Sequence, residues 1–184
     1  QAPLEIVNKP GFVYYGNTFT LSAVGGSGSE KVTWSSSNED IAHIDANGFV
    51  TIKGVGSATI TAAKTGGGNY DTVTATYPLN ALKKPITAIV TADDKVYRSG
   101  DLSAELIISW KPGDLVDKDT IDTSHVTGAF EDDSVGTGKT VNITGGQVND
   151  ATAQKYDITI PRTATASILK ANATAPALKA NNSV

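Results

Sequence analysis

Apolar and polar residues alternate one by one along most of this chain. Phe19, Leu21 and Ala23 are separated by Thr20 and Ser22, and Val32 and Trp34 by Thr33. Phe49–Lys53 and Ala58–Ala62 repeat the pattern, and Val73, Ala75 and Tyr77 alternate with Thr72, Thr74 and Thr76. Successive side chains of a β-strand point to opposite faces, so a period of two marks a strand with one buried and one wet face. No stretch carries the i, i+3, i+4, i+7 stripe of an amphipathic helix. Gly25-Gly26-Ser27-Gly28, Asn47-Gly48, Gly54-Val55-Gly56 and Gly66-Gly67-Gly68-Asn69 fall between the runs. Asn47-Gly48 is a strong turn signal, because both residues tolerate positive φ. About seven short strands with turns roughly every 8–12 residues predict an all-β sandwich.

Asn80-Ala81-Leu82-Lys83-Lys84-Pro85 interrupts the alternation with charge and a proline, and reads as a linker. The pattern then resumes over Ile86–Thr91, Ala104–Trp110, Val126–Phe130, Thr140–Thr144, Tyr156–Ile160 and Thr163–Leu169. Lys111-Pro112-Gly113-Asp114 and Gly145-Gly146 are turns, and the acidic, weakly periodic stretch Asp114–Ser124 is a loop. The polar, Ala-rich end of the chain reads as a tail. The expected organisation is two tandem β-sandwich modules, residues 1–82 and 83–170, with residues 171–184 as a tail or a linker to a further repeat. A module this small buries only roughly 60% of its unfolded surface. Trp34 and Trp110 are therefore expected to close the two cores.

Composition narrows the function classes. Lys+Arg total 15 against 19 Asp+Glu, a net charge of −4, which opposes nucleic-acid binding. The chain holds no Cys, so disulfides, thiolate metal sites and cysteine nucleophiles are excluded. No uninterrupted apolar run is long enough to span a membrane as a helix. The opening Gln1-Ala2-Pro3-Leu4-Glu5-Ile6-Val7 lacks the regions of a signal peptide, so an export signal is expected outside this fragment.

Two family resemblances follow from particular strings. The first is carried by Val32-Thr33-Trp34-Ser35-Ser36-Ser37-Asn38, Ile41-Ala42-His43-Ile44-Asp45-Ala46-Asn47-Gly48-Phe49-Val50-Thr51 and Gly56-Ser57-Ala58-Thr59-Ile60-Thr61-Ala62. In order and spacing they resemble the bacterial Ig-like domain of group 2 (Big_2) over about residues 3–80. That resemblance implies an immunoglobulin-like first sandwich. The second is carried by Lys95-Val96-Tyr97, Val126-Thr127-Gly128-Ala129-Phe130 and Val135-Gly136-Thr137-Gly138-Lys139-Thr140-Val141. It resembles the YDG module of bacterial surface proteins over residues 85–170, with Tyr156 at the family's Asn-Tyr position and Arg98-Ser99-Gly100 after Tyr97 departing from it. Gln1-Ala2-Pro3-Leu4 and Thr174-Ala175-Pro176-Ala177-Leu178 are similar to connectors between repeats.

Each candidate for chemistry meets a simpler reading. Gly136-Thr137-Gly138-Lys139-Thr140 imitates a phosphate-binding loop, but Asp133 stands where the motif needs glycine and no helix pattern follows. Asp93-Asp94, Asp114/Asp117/Asp119/Asp122 and Glu131-Asp132-Asp133 are oxygen-rich, without the order of a calcium loop. His43 and His125 lie in different modules, without zinc spacing. No nucleophile elbow supports a serine triad, and no pair of walls is evident for two glycosidase carboxylates. Tyr14, Tyr15, Tyr70, Tyr97 and Tyr156 are the candidates for sugar stacking, against an ordinary sheet-edge role. Lys139 and Asn142 exemplify a pair for a lysine–asparagine cross-link.

No catalytic or metal residue, cofactor or binding residue is assigned on these grounds. The expected function is that of a non-catalytic bacterial cell-surface module in adhesion or as a structural stalk. The alternative is a carbohydrate-binding accessory module of a secreted glycosidase. The expected partner is a protein or glycan on a host or neighbouring cell, the expected state a monomer, and the expected place extracellular.

Overall fold

A computed structural model describes residues 1–146 and 150–172, so most of the expected tail over 171–184 lies outside the described residues. The chain divides into two compact units. The first comprises Gln1–Ile86, Pro112–Ile121 and the described part of Val148–Ile158. The second comprises Thr87–Lys111 and the described parts of Asp122–Gln147 and Thr159–Val184. The architecture is all-β, as the alternation predicts. Outside the strands, Gly67–Asn69 and Ala153–Lys155 each make one turn of 3-10 helix. Among the described residues no helix is long and apolar enough to cross a membrane.

The strands of residues 1–82 are β1 (Leu4–Val7), β2 (Val13–Tyr14), β3 (Thr18–Thr20), β4 (Ser22–Gly25), β5 (Val32–Ser36), β6 (Ala42–Ile44), β7 (Phe49–Ile52), β8 (Gly56–Lys64) and β9 (Val73–Leu82). One sheet has the order β2-β9-β8-β5, a second β3-β7-β6, and β1 pairs with β4. The inward positions of the alternation meet in the core. Ile6, Leu21, Val50, Ile52 and Ile60 are each 1% exposed or less. Removing each such side chain from water contributes about 1.5–3 kcal/mol before chain entropy is counted. The run Phe19–Ala23, which reads as one strand, is two. β3 pairs with β7 and β4 with β1, and between them the Leu21 amide donates to the Gly48 carbonyl at 2.9 Å. Changing partner at Leu21 keeps every second side chain inward while the backbone passes between hydrogen-bonded layers.

The Asn47-Gly48 turn joins β6 to β7 as expected. Asp45 Oδ1 accepts the amides of Asn47 and Phe49 at 2.8 and 2.9 Å. These bonds, the Phe49 amide first, hold the Asp45 carboxyl below the usual carboxylate range. Gly48 has φ +82°, and a Cβ there would lie 2.4 Å from the Leu21 carbonyl oxygen.

The remaining strands are β10 (Lys84–Thr87), β11 (Ile89–Ala92), β12 (Lys95–Val96), β13 (Ser103–Ala104), β14 (Leu106–Ser109), β15 (Thr127–Phe130), β16 (Gly136–Thr144), β17 (Tyr156–Thr159) and β18 (Thr163–Leu169). Five of them form a sheet in the order β12-β18-β16-β15-β13, while β11 pairs with β14 and β10 with β17. The core of the second unit holds Phe130, Val141, Ala166 and Ile168. Residues 80–85, read as a linker, are extended: β9 runs to Leu82 and β10 begins at Lys84.

The two tryptophans do not close the cores as expected. Trp34 packs against the first core but stays partly exposed, because it lies on β5, the edge of its sheet. Trp110 is also partly exposed, and the second core closes on Phe130 instead. Rings at a sheet rim cover the core without entering it, while Ile, Val and Leu fill the interior.

The Gly48→Ala variant is expected to lose at least about 1–3 kcal/mol of stability, since it places a side chain in the left-handed region against a carbonyl. Urea unfolding of the full chain measures it.

Candidate functional site

The most connected polar cluster lies in the first unit and surrounds a carboxylate. Tyr15 directly follows β2, where its amide donates to the Leu82 carbonyl at 2.9 Å. The turn after it is shaped by Asn17, whose Oδ1 accepts the Tyr14 amide at 2.9 Å, and by Gly16 at φ +81°. A Cβ at Gly16 would stand 2.3 Å from Cγ2 of Val116, so the glycine lets the 112–121 segment approach the turn closely. On the other side, the 3-10 turn Ala153–Lys155 leads into β17 and delivers Tyr156. Its first amide, from Ala153, is capped by Asp150 Oδ1 at 2.7 Å.

Asp119 Oδ2 accepts hydrogen bonds from both phenols, at 2.8 Å from Tyr15 and 2.7 Å from Tyr156. The Tyr156 hydroxyl also accepts the Val116 amide at 2.9 Å. The Tyr15 hydroxyl accepts Lys155 Nζ at 3.3 Å, and the same ammonium sits 4.8 Å from the Tyr15 ring centroid. The two rings meet edge to face with centroids 5.4 Å apart. Tyr15 is 5% exposed and Tyr156 2%. Burial, and then the Asp119 carboxylate, raise both phenols above their ordinary pKa. Phenols held protonated and bonded to a carboxylate that already has two donors do not form a nucleophile or a general base. The arrangement is a brace that fixes two loops to the turn at Tyr15.

The other acidic candidates also hold loops. Asp94 accepts the Ser167 amide at 2.6 Å, Asp133 the Gly100 amide at 2.7 Å and Asp122 the Ser124 amide at 2.9 Å. Asp132 accepts the Ser134 amide at 2.8 Å and pairs with Lys139, whose ammonium first, and then Ser134, hold its carboxyl at about 2. Asp101 is held at about 2 by Ser103 first and then Lys95. Such pairs stabilise the fold above the ordinary carboxylate pKa and lose that contribution as pH falls toward 2. Among the described residues, no group of three or more His, Asp and Glu is placed to hold a metal ion.

The remaining candidates do not converge. His43 Nδ1 pairs with Glu39 on the surface, and His125 is exposed in the second unit. Gly136–Thr140 lies in β16 rather than ahead of a helix. Lys139 and Asn142 are three residues apart in β16, opposite Ala166 and Thr163, so they face opposite sides of the sheet and cannot cross-link. Of the five tyrosines considered for sugar stacking, Tyr70 is exposed at 49%, while Tyr15 and Tyr156 are buried. Tyr14 and Tyr97 are half-buried. A shallow opening of about 410 Å³ in the second unit, bordered by Leu106, Ile108 and Val126 with Ser and Thr hydroxyls, has no ionisable residue in its lining.

Asp119, Lys155 and the joint role of Tyr15 and Tyr156 were not legible as a site in the sequence. The pairs are separated by 104, 37 and 140 positions, and each residue by itself reads as loop or edge. The nearest sequence signal was Tyr15-Gly16, an aromatic beside a residue able to take positive φ.

Comparison with known proteins finds two family matches in succession along the chain. Residues 14–66 match the family model of the intimin immunoglobulin-like domain, and residues 82–166 that of the YDG domain. The first match supports an immunoglobulin-like fold for the first module and is to the intimin domain rather than to group 2. Intimin of Citrobacter freundii is 40% identical over 85 residues, which are 46% of this chain and 8% of that protein. A solved EHEC O157:H7 intimin mutant is 29% identical, covering 51% of this chain and 52% of its own, with a TM-score of 0.33. A solved intimin–Tir90 complex is 29% identical over 53% of this chain and 54% of its own, also at 0.33. The chain thus spans a small part of the curated relative and about half of the solved ones.

Two outcomes are expected from the brace. Asp119→Asn weakens two bonds to a charged acceptor and should cost about 1–3 kcal/mol, read by urea unfolding together with faster hydrogen exchange at the Val116 amide. Raised phenol pKa values favour the folded state fully below about pH 10 and lose that contribution as pH rises further. The melting temperature of the parent should therefore fall above pH 10 more steeply than that of Tyr156→Phe.

Proposed function

We propose that this chain is a non-catalytic pair of β-sandwich modules from a bacterial cell-surface, adhesin-like protein, acting as a stalk or adhesive segment. The observation that carries this reading is the succession of an intimin immunoglobulin-like match and a YDG match along one chain. The use of carboxylates to hold loops supports it, since side chains already bonded within the fold are unavailable to convergent acid–base chemistry. Within the immunoglobulin-like families, the string Val32–Ala62 supports a group 2 module. The partner is a protein or glycan on a host or neighbouring cell, and the chain acts as a monomer outside the cell. Sandwich modules in tandem hold the loops at their ends away from an anchoring point.

Antibodies raised against residues 1–172 test the location. They should label intact cells of the source bacterium, and labelling confined to permeabilised cells would overturn the surface reading.

A further inference from the structure

Tyr15 is buried by residues that its own family match does not contain. The immunoglobulin-like match covers residues 14–66, whereas Val116, Asp119, Lys155 and Tyr156 lie in the YDG match over 82–166. All of them nevertheless belong to the first compact unit, to which segments 112–121 and 150–158 return from later in the chain. Among the described residues the apolar core of residues 1–82 includes Val13 on β2 and Leu79 and Ala81 on β9, but not Tyr15. The tyrosine is still only 5% exposed. Asp119, Lys155 and Tyr156 form the cap that supplies this cover, through two hydrogen bonds and an edge-to-face ring contact.

The capped turn ties two sheets of residues 1–82 together. The Tyr15 amide donates to the Leu82 carbonyl of β9 at 2.9 Å, and the Gly16 amide donates to the Ile52 carbonyl of β7 at 3.0 Å. β9 and β7 belong to different sheets. A further tie enters at the start of the cap, where Lys84 Nζ donates to the Gly113 carbonyl at 2.6 Å. The fit is particular to the turn. Gly16 takes φ +81°, and a Cβ there would stand 2.3 Å from Cγ2 of Val116. In the second unit Tyr97 also follows a short parallel strand, and its amide donates to the Leu169 carbonyl at 2.8 Å. That ring packs against its own core instead, and the next residue is Arg98. Glycine therefore follows the tyrosine where a cap must approach, and is absent where the tyrosine is covered by its own core.

We infer that the immunoglobulin-like module is incomplete at its family boundary and is closed by a cap borrowed from the YDG-matching part, which recognises the Tyr15-Gly16 turn. The phenol is selected by the Asp119 carboxylate, and the glycine admits Val116. Loss of the cap opens the end of the module at which β9 and β7 are tied, and leaves the core of the second unit intact. Local opening of this kind is seen at individual amides, since each exchanges with solvent only when its own hydrogen bond breaks. The dependence is a property of the folded chain and holds whether or not the protein works on a cell surface.

Hydrogen exchange in the full chain, followed amide by amide by NMR, is the test. Asp119→Ala removes the acceptor that the two phenols share. The Tyr15 and Gly16 amides should then exchange at least about tenfold faster than in the parent, as the loss of a bond to a charged group requires. The amides of Val141 and Ile168, on the interior strands β16 and β18 of the second unit, should keep their parent rates. Lys118→Ala, at an exposed neighbour in the same loop, should leave all four amides unchanged. Should Asp119→Ala not fold, Asp119→Asn is read in its place at the same amides. Parent rates at Tyr15 and Gly16 beside a faster Val116 amide overturn the inference, because the module then holds without its cap. Equal acceleration of all four amides also overturns it, because Asp119 then acts on the whole chain and not on the end of one module.

Discussion

A phenol taken out of water must find a new hydrogen-bond partner, and in the first unit two of them meet that need at one oxygen. Tyr15 and Tyr156 are almost fully buried, and both donate to Asp119 Oδ2. Leaving either unpaired would cost roughly 1–3 kcal/mol. The requirement reaches into the surrounding chain. Asp119 is held where Val116 can donate to the Tyr156 hydroxyl, and Val116 in turn needs the space that Gly16 leaves open. The 112–121 loop and the 3-10 turn ahead of β17 thereby acquire a defined position on a turn more than a hundred residues upstream.

The same economy of charge runs through the rest of the molecule. A chain without cysteine has no covalent staple, and modules of this size bury little apolar surface. Carboxylates take over part of the task by accepting loop amides, as Asp45 does at the Asn47-Gly48 turn and Asp132 does before β16. Lys139 and Lys95 extend these contacts from the strands. Acidic residues that look like a ligand set along the chain are in this way distributed among separate turns. Each carboxylate is thereby committed to the turn that holds it.

Ending a sheet in a short parallel strand is a second recurring device, found in the four-stranded and the five-stranded sheet. β2 beside β9 and β12 beside β18 each bring a tyrosine amide to a leucine carbonyl. Two residues of strand are enough to satisfy the edge, and they leave little backbone open for unintended pairing. The same geometry thus recurs in the two compact units, although their sequences differ.

Alternation of side chains was sufficient to establish the all-β character, most strand positions and the inward set at Leu21, Val50, Ile52 and Ile60, because side-chain direction in a strand is a local property of the backbone. The Asn47-Gly48 turn was equally local, since positive φ is a property of the residue. Strand partners were not local. The passage from β3 to β4 at Leu21, and from β13 to β14 across Glu105, leaves the alternation intact while changing the neighbour that receives the hydrogen bonds. The depth of Trp34 and Trp110 depended on which strands became edges, and the brace on loops meeting across more than a hundred residues. Only the folded chain decides these, because a hydrogen bond depends on where two groups meet in space, and periodicity along the chain carries no record of that meeting.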